Sequence, residues 1–213
     1  ALDFDGINDW VHVADAPANS LENTSFTIEV WYKTDGNNSN PLKQTAIVSN
    51  YISSGAGGSY YLMLREDSSV GFGGYVNLNS AGPINDGNWH NLVVTYDSLS
   101  GLVVLYIDGY NEDQDYVSSP SFDNSQGIAI GSNHLNRYTQ CSISNLSISN
   151  VVRYSDNFTP VANPILDANS IIYYDFSEQA DILEDLSGNE NDGTIHGATW
   201  IENANGGSTT FCD

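Results

Sequence analysis

The sequence predicts an all-β protein: an antiparallel β-sandwich that forms a single domain. Apolar residues recur at every second position through most of the chain, which is the period of a half-buried strand. Clusters of Gly, Asn, Asp and Ser separate these runs, as turns between strands do. About a dozen short strands favour two stacked sheets, since one open sheet would leave long edges exposed.

The run 24–35 is the clearest strand. Its even positions from Phe26 to Tyr32 are apolar, and its odd positions include Glu29, Trp31 and Lys33. Because successive side chains point to opposite faces, we expect the mixed face to be the better place for a ligand. The other predicted strands are 2–5, 10–13, 45–51, 59–66, 70–76, 89–96, 102–108, 127–131, 143–148, 171–176 and 193–199, with a tight hairpin turn at Asp108-Gly109.

The domain organisation follows from length and from the lack of repeats. A chain of 213 residues, 40% of them hydrophobic, can form one large β domain or two small ones. No repeat with a period of 20 to 50 residues stands out, so one domain over residues 1–213 is expected. Residues 161–213 either complete the sandwich as a terminal strand pair or begin a following unit. The strand pair is favoured because 171–176 needs a sheet to join.

The charge balance restricts the possible partners. The chain has 27 acidic and 5 basic residues, a formal net charge of -22. Nucleic acid is therefore not expected as a partner, because phosphate binding needs a basic surface. No run of about 18 apolar residues predicts a membrane span. Bound divalent cations would offset the repulsion between so many carboxylates.

Two acidic loops, 3–9 and 185–193, are candidate calcium sites. Both place Asp, Asn or Ser around a glycine turn beside a predicted strand, and calcium prefers carboxylate and carbonyl oxygens at about 2.3–2.6 Å. The alternative is that these residue types are simply the ones that turns require. The candidate ligands are Asp5, Asn8 and Asp9 in the first loop and Asp185, Asn189 and Asp192 in the second.

Carbohydrate is the predicted ligand. The chain has 13 tyrosines and 4 tryptophans, and aromatic faces stack on sugar rings while amide, carboxylate and guanidinium groups bind the hydroxyls. The loop 131–138 combines aromatic, amide and guanidinium groups. The loop 35–40 offers polar groups alone. An ordinary polar loop is the alternative for either one. The candidate ligand-binding residues are Asn133, His134, Asn136, Arg137 and Tyr138, together with Trp31.

Cys141 and Cys212 are the two cysteines. They form either a disulfide or two free thiols. A bond between them would close a loop of about 70 residues and stabilise the fold by roughly 4 kcal/mol in the chain-entropy model.

Several segments, in this order and spacing, resemble one known family. The segments are Leu2-Asp3-Phe4-Asp5-Gly6, Phe26-Thr27-Ile28-Glu29-Val30-Trp31, Trp89-His90-Asn91-Leu92-Val93-Val94, Leu105-Tyr106-Ile107-Asp108-Gly109 and Asp185-Leu186-Ser187-Gly188-Asn189. Together they are similar to the laminin-G-like jelly-roll family of the concanavalin A-like lectin and glucanase superfamily, and the resemblance covers most of the chain.

The resemblance implies two antiparallel sheets, one of them concave, and a structural calcium near the paired terminal strands. If the two acidic loops meet, they would share that calcium. Family members often carry Asp-Glu where this chain has Ser144-Asn145. An acid that commonly helps to hold the metal is therefore missing at this point.

The expected function is that of a non-catalytic, calcium-binding, lectin-like module. It would be secreted or at the cell surface, with neighbouring domains in a larger adhesin or polysaccharide-processing protein. The first alternative is a protein-binding or spacer module with purely structural calcium. A glycan-cleaving enzyme comes third, because related glucanases use Glu-x-Asp-x-x-Glu and this chain has Tyr173 in place of the first Glu.

Overall fold

The computed structural model describes residues 1–34, 44–50, 59–118, 120, 122, 127–133, 136–177 and 179–202. These residues contain sixteen β-strands and a short 3-10 turn at Pro17–Asn19. No helix in these ranges is long and apolar enough to cross a membrane. The strands are β1 Leu2–Asp5, β2 Trp10–Val13, β3 Phe26–Lys33, β4 Thr45–Ser49, β5 Tyr61–Leu64, β6 Ser69–Gly73, β7 Asn77–Pro83, β8 Trp89–Tyr96, β9 Leu102–Ile107, β10 Tyr110–Tyr116, β11 Ile128–Ile130, β12 Gln140–Ser149, β13 Ser170–Tyr174, β14 Ile182–Leu183, β15 Gly193–His196 and β16 Thr199–Trp200.

Two antiparallel sheets stack into a sandwich, which confirms the predicted fold class. The first, here called the β3 sheet, has the order β10-β9-β8-β3-β12-β1-β16, with β13 also paired to β12. The second, the β5 sheet, has the order β14-β15-β2-β11-β4-β5-β6-β7. Since β1 and β2 belong to different sheets, the acidic loop between them carries the chain from one sheet to the other.

The core lies between the sheets and follows the alternation along each strand. On β5, Leu62 and Leu64 belong to the core cluster, whereas Tyr61 and Met63 do not. Because side chains alternate between faces, Tyr61 and Met63 lie on the outer face of the β5 sheet. Each fully buried aliphatic or aromatic side chain stabilises the fold by about 1.5–3 kcal/mol relative to exposure.

Three strands, β7, β10 and β14, were not predicted from the sequence. All three are edge strands, and none has an alternating apolar pattern. β7 and β10 contact each other across the sandwich: Glu112 Oε2 accepts the Ala81 N–H at 2.8 Å and Asp113 Oδ2 accepts the Asn79 N–H at 3.0 Å. The predicted turn before β10 is confirmed, with positive φ at Asp108 and at the following glycine.

The strands after residue 160 join both sheets. β13 pairs with β12 and β16 pairs with β1 in the β3 sheet, while β15 pairs with β2 in the β5 sheet. The segment 161–202 therefore contributes strands next to the beginning of the chain.

Candidate functional site

A cavity of about 230 Å³ opens on the outer face of the β5 sheet, between β4, β5 and the loop that follows β11. Ala46 on β4 and Met63 on β5 are cross-strand partners in its wall. Aromatic, amide, hydroxyl and cationic groups contribute to the lining. The lining residues are Gln44, Thr45, Ala46, Tyr61, Met63, Asn133 and Arg137, with no carboxylate among those that the structure describes.

Hydrogen bonds attach the loop after β11 to β4. Thr139 Oγ1 donates to the Ala46 carbonyl at 2.7 Å, and the Ala46 N–H donates to the Arg137 carbonyl at 3.4 Å. Within the loop, Asn133 is 7% exposed and its Oδ1 accepts the Arg137 N–H at 3.2 Å. The backbone of Arg137 is thus fixed against the strand, and its side chain contributes to the cavity wall.

Glycines on β6 make room for two large side chains of β5. A Cβ at Gly73 would collide with the Tyr61 ring, and a Cβ at Gly71 would lie 2.5–2.9 Å from the Arg65 guanidinium. Both side chains therefore extend across β6. Arg65 Nη2 also donates to Asn77 Oδ1 on β7 at 2.7 Å. The result is a surface with one aromatic ring and one guanidinium beside the cavity.

The structure brings together part of the predicted ligand-binding set. Asn133 and Arg137 line the cavity. The Tyr138 hydroxyl donates to Oδ1 of the exposed Asn136 at 3.0 Å, and neither residue belongs to the lining. His134 lies outside the described residues.

Sequence reasoning assigned no ligand role to Gln44, Thr45, Tyr61 or Met63. The alternation in 59–66 was a usable signal, since it places Tyr61 on the face opposite Leu62. The pairing of β4 with β5, which brings Thr45 and Ala46 beside this strand, becomes known only from the register.

Trp31 lies on the other sheet, away from the cavity. Its Nε1 donates to the Val161 carbonyl at 3.1 Å, and Asn145 Nδ2 donates to the Ala162 carbonyl at 2.7 Å. Two neighbouring carbonyls of the chain after β12 are therefore bound to the outer face of the β3 sheet. Trp31 does not meet the other predicted ligand-binding residues.

Glu29 is also buried on this face, and its carboxylate is bound by neighbouring side chains. It is 1% exposed, with Oε1 accepting from Asn91 Nδ2 at 3.0 Å and Oε2 from the Tyr154 hydroxyl at 2.9 Å. Burial raises the pKa of Glu29, while these two hydrogen bonds and the charge of Arg153 oppose that change. The Phe158 ring stacks on Tyr154 with centroids 3.6 Å apart.

The first acidic loop brings Asp5 and Asp9 together. Asp5 Oδ1 accepts the Ile7 and Asn8 N–H groups at 2.7 and 3.3 Å, and Asp9 Oδ2 accepts the Asp5 N–H at 2.9 Å. Burial raises the pKa of Asp9 and the charges of Asp5 and Asp3 add to this effect, against the Asp5 N–H bond.

Calcium is compatible with the first loop only if other oxygens complete its coordination. In the described part of the chain, no three His, Cys, Asp or Glu side chains form a group that could hold a metal ion. Asp5 and Asp9 each have a carboxylate oxygen outside the bonds above, and backbone, amide and water oxygens are ordinary calcium ligands. The predicted role of Asp5, Asn8 and Asp9 stays a prediction.

The second acidic loop has a hydrogen-bond network of its own. The Asp185 carboxylate accepts four bonds, including the Tyr173 N–H at 2.9 Å and the Ser187 hydroxyl at 2.8 Å. Asp192 Oδ1 accepts the Asp185 N–H at 2.9 Å, and Asn189 Nδ2 donates to two carbonyls of β13 at 3.0 and 3.1 Å. These bonds attach the loop to β13, so its acidic composition has a structural explanation.

The strand register separates the two acidic loops. The first loop ends beside Trp10, which is opposite His196, and the second ends beside Gly193, which is opposite Val13. The loops thus leave opposite ends of a ladder about 10 Å long. A single calcium, with ligand distances of about 2.3–2.6 Å, would therefore have to take its ligands from one loop or the other.

Cys141 is buried on β12, opposite Phe4 of β1. Burial raises the pKa of its thiol. Cys212 lies outside the described residues, so the disulfide stays a prediction.

A second cavity, of about 210 Å³, lies where β13 and β14 end. Asp175 and Glu184 line it together with apolar side chains, including Phe176, Leu183 and Leu186. Two carboxylates of the described chain therefore share the wall of this cavity.

The family and the fold are matched by known proteins. A model of the concanavalin A-like lectin/glucanases superfamily matches residues 5–157. A candidate carbohydrate-binding protein of Bacteroides ovatus ATCC 8483 has a TM-score of 0.70 at 18% identity over 93% of this chain and 58% of its own. Domains LG4-5 of the mouse laminin alpha1 chain have a TM-score of 0.53 at 18% identity over 78% and 47%. The NanB sialidase of Streptococcus pneumoniae has a TM-score of 0.50 at 15% identity over 80% and 30%.

At these identities the likeness to solved structures shows the fold alone. The chain spans 30% to 58% of the length of the three structures. No curated protein matches the sequence. The family model covers most of the chain, and the protein belongs to the laminin G-like family of the concanavalin A-like lectin/glucanases superfamily.

Proposed function

We propose that this domain is a non-catalytic carbohydrate-binding module and that the cavity beside β5 holds a sugar residue. The observation that carries the proposal is the composition of the cavity wall: the aromatic Tyr61 beside the amides Gln44 and Asn133 and the guanidinium of Arg137. Aromatic faces stack on the apolar side of a sugar ring, and convergent polar groups bind its hydroxyls.

The size of the cavity limits the contact to a small part of a glycan. Pockets for drug-sized ligands are about 300–1,000 Å³, and this one is about 230 Å³. One sugar residue would enter and the rest of the glycan would lie across the adjacent surface, where Tyr61 and Arg65 extend over β6. The Bacteroides ovatus relative, a candidate carbohydrate-binding protein, supports the same ligand class.

The proposal also covers the location of the module, its neighbouring domains and its cofactor. The module would work outside the cell, as part of a larger adhesin or polysaccharide-processing protein, with calcium at the first acidic loop as a structural cofactor. The net charge of -22 favours such a cation. If the experiment below finds no glycan binding, the remaining alternative is a protein-binding or spacer module with structural calcium.

The enzyme alternative rests on a different place in the fold. A glycosidase needs two carboxylates about 5–9.5 Å apart, on either side of the scissile bond. The described lining of the proposed sugar site has none, whereas Asp175 and Glu184 line the second cavity. Release of reducing ends from a polysaccharide, lost in Asp175→Asn, would favour catalysis there.

A glycan array followed by titration calorimetry tests the proposal. We expect a defined set of glycans to bind, and Tyr61→Ala to weaken binding at least about tenfold, roughly 1.4 kcal/mol, because the stacking face is lost. Tyr116→Ala is the matched control, since Tyr116 is 65% exposed on β10 of the other sheet. An array without hits, or equal losses in the two variants, would contradict the proposal.

A further inference from the structure

We propose that the cavity beside β5 selects a sugar residue with an anionic substituent, a carboxylate or a sulfate, and that Arg137 binds this group. The inference rests on the proposed function and narrows its ligand class. It comes from one side chain of the cavity wall, that of Arg137, and from the charge of the rest of the molecule.

Within the described part of the chain, the side chain of Arg137 has no hydrogen-bond or ion-pair partner. Among the described residues its backbone N–H bonds to Asn133, but its guanidinium makes no hydrogen bond or ion pair. Arg153 differs, because its guanidinium binds both carboxylate oxygens of Asp167, at 2.8 and 3.2 Å. In a chain with 27 acidic and 5 basic residues, a half-buried arginine without a carboxylate has an unused binding capacity.

The chemistry of this side chain favours an anion over a hydroxyl. A guanidinium presents a planar fork of N–H donors that matches the two oxygens of a carboxylate or sulfate, and such charge-assisted bonds are about twice as strong as neutral ones. The described wall has no carboxylate to compete for the guanidinium.

Because the protein is strongly acidic, long-range attraction would not help to bind an anion, and selection would depend on direct contact in the cavity. At a net charge of -22 the protein repels anions at long range, so a polyanion gains nothing from general attraction. Binding of an anionic glycan would then depend on the contact with Arg137, and it would weaken only modestly with salt because screening also reduces the repulsion.

The test compares matched glycans with and without the charge. The first pair is a galacturonan tetrasaccharide and its methyl ester, and the second is a sulfated galactan tetrasaccharide and its desulfated form. We expect at least about tenfold tighter binding of one or both anionic members, as calorimetry would measure. Preference within the first pair identifies a carboxylate, and preference within the second identifies a sulfate.

Variants of Arg137 test whether this residue causes the preference for the anionic glycan. Arg137→Gln should remove the difference in affinity between the anionic and the neutral member of a pair, while Arg137→Lys should retain part of it. Lys33→Gln removes one positive charge from the β3 sheet and is the matched control for net charge. Melting temperatures of the variants identify any that misfold.

Two outcomes would overturn the inference. Neutral members that bind as tightly as the anionic ones would refute selection for an anionic substituent. The proposed carbohydrate site would still be supported. An anionic preference that survives Arg137→Gln would refute the assignment to this residue. If the glycan array gives no hits at all, the proposed function fails together with the inference.

Discussion

The outer faces of the two sheets are built from the same alternating pattern, yet they differ in what lies on them. On the β3 sheet, Glu29 and Trp31 bind side-chain and backbone groups of the segment 151–163. On the β5 sheet, Tyr61 and Met63 line a cavity. Alternation determines which side chains leave the core, but a distant part of the chain determines whether they are then covered.

The largest effect should come from Glu29 on the covered face. Glu29→Ala leaves the Asn91 amide and the Tyr154 hydroxyl without their buried acceptor, at a cost of about 1–3 kcal/mol each. We expect a loss of about 2–4 kcal/mol in the free energy of unfolding, measured by urea denaturation. Glu29→Gln keeps one acceptor oxygen and should lose less.

Glycan binding tests whether the outer faces of the two sheets differ in function. At a temperature where Glu29→Gln remains folded, its affinity for any bound glycan should equal that of the unchanged protein. A stable Glu29→Gln variant that has lost glycan binding would instead place the ligand on the β3 sheet and contradict the assignment of the two faces.

A smaller effect is expected from calcium at the loop that joins the two sheets. Calcium at a hundred times its Kd would stabilise the fold by about 2.7 kcal/mol, because it binds the folded state and neutralises carboxylates near Asp9. Asp9→Asn should remove this calcium-dependent rise in melting temperature. Asp192→Asn keeps an acceptor oxygen for the Asp185 N–H and should leave the rise intact.

The same two variants also test the second acidic loop. If Asp192→Asn removes the rise and Asp9→Asn retains it, the second loop holds the ion. A melting temperature that is the same in calcium and in chelator would refute calcium binding at both loops.

The smallest effect is a pH dependence at the end of the β3 sheet. Asp108, 2.7 Å from Nδ1, raises the pKa of His90 to about 9, and Asp86 adds to this, against partial burial. Since the folded pKa lies above the unfolded value of about 6.5, the stabilisation is complete below pH 6.5 and is lost as the pH rises through 9. With one neighbour solvent-exposed, we expect about 1 kcal/mol or less.

Denaturation at several pH values checks this prediction. His90→Gln should remove the loss of stability between pH 7 and 10 and should not change glycan affinity at pH 7. An unchanged pH profile in the variant would show that other groups cause it.

Most strands were predictable because burial on one side produces alternation, as on β3 and β8. β7 and β10 were not, since edge strands with polar residues on both sides lose that signal. Asn133 and Arg137 were predictable because their loop concentrates amide, aromatic and cationic groups. Their neighbours Thr45 and Tyr61 come from strands far away in sequence, and the register that joins them depends on the whole fold.

Met63 alternates with Leu62 and Leu64 along β5, and this order separates two kinds of evolutionary change. A substitution at 61 or 63 alters the cavity wall and leaves the core untouched, while one at 62 or 64 does the reverse. A change at an odd-numbered position of this strand would therefore reshape the cavity while the packing between the two sheets stays as it is.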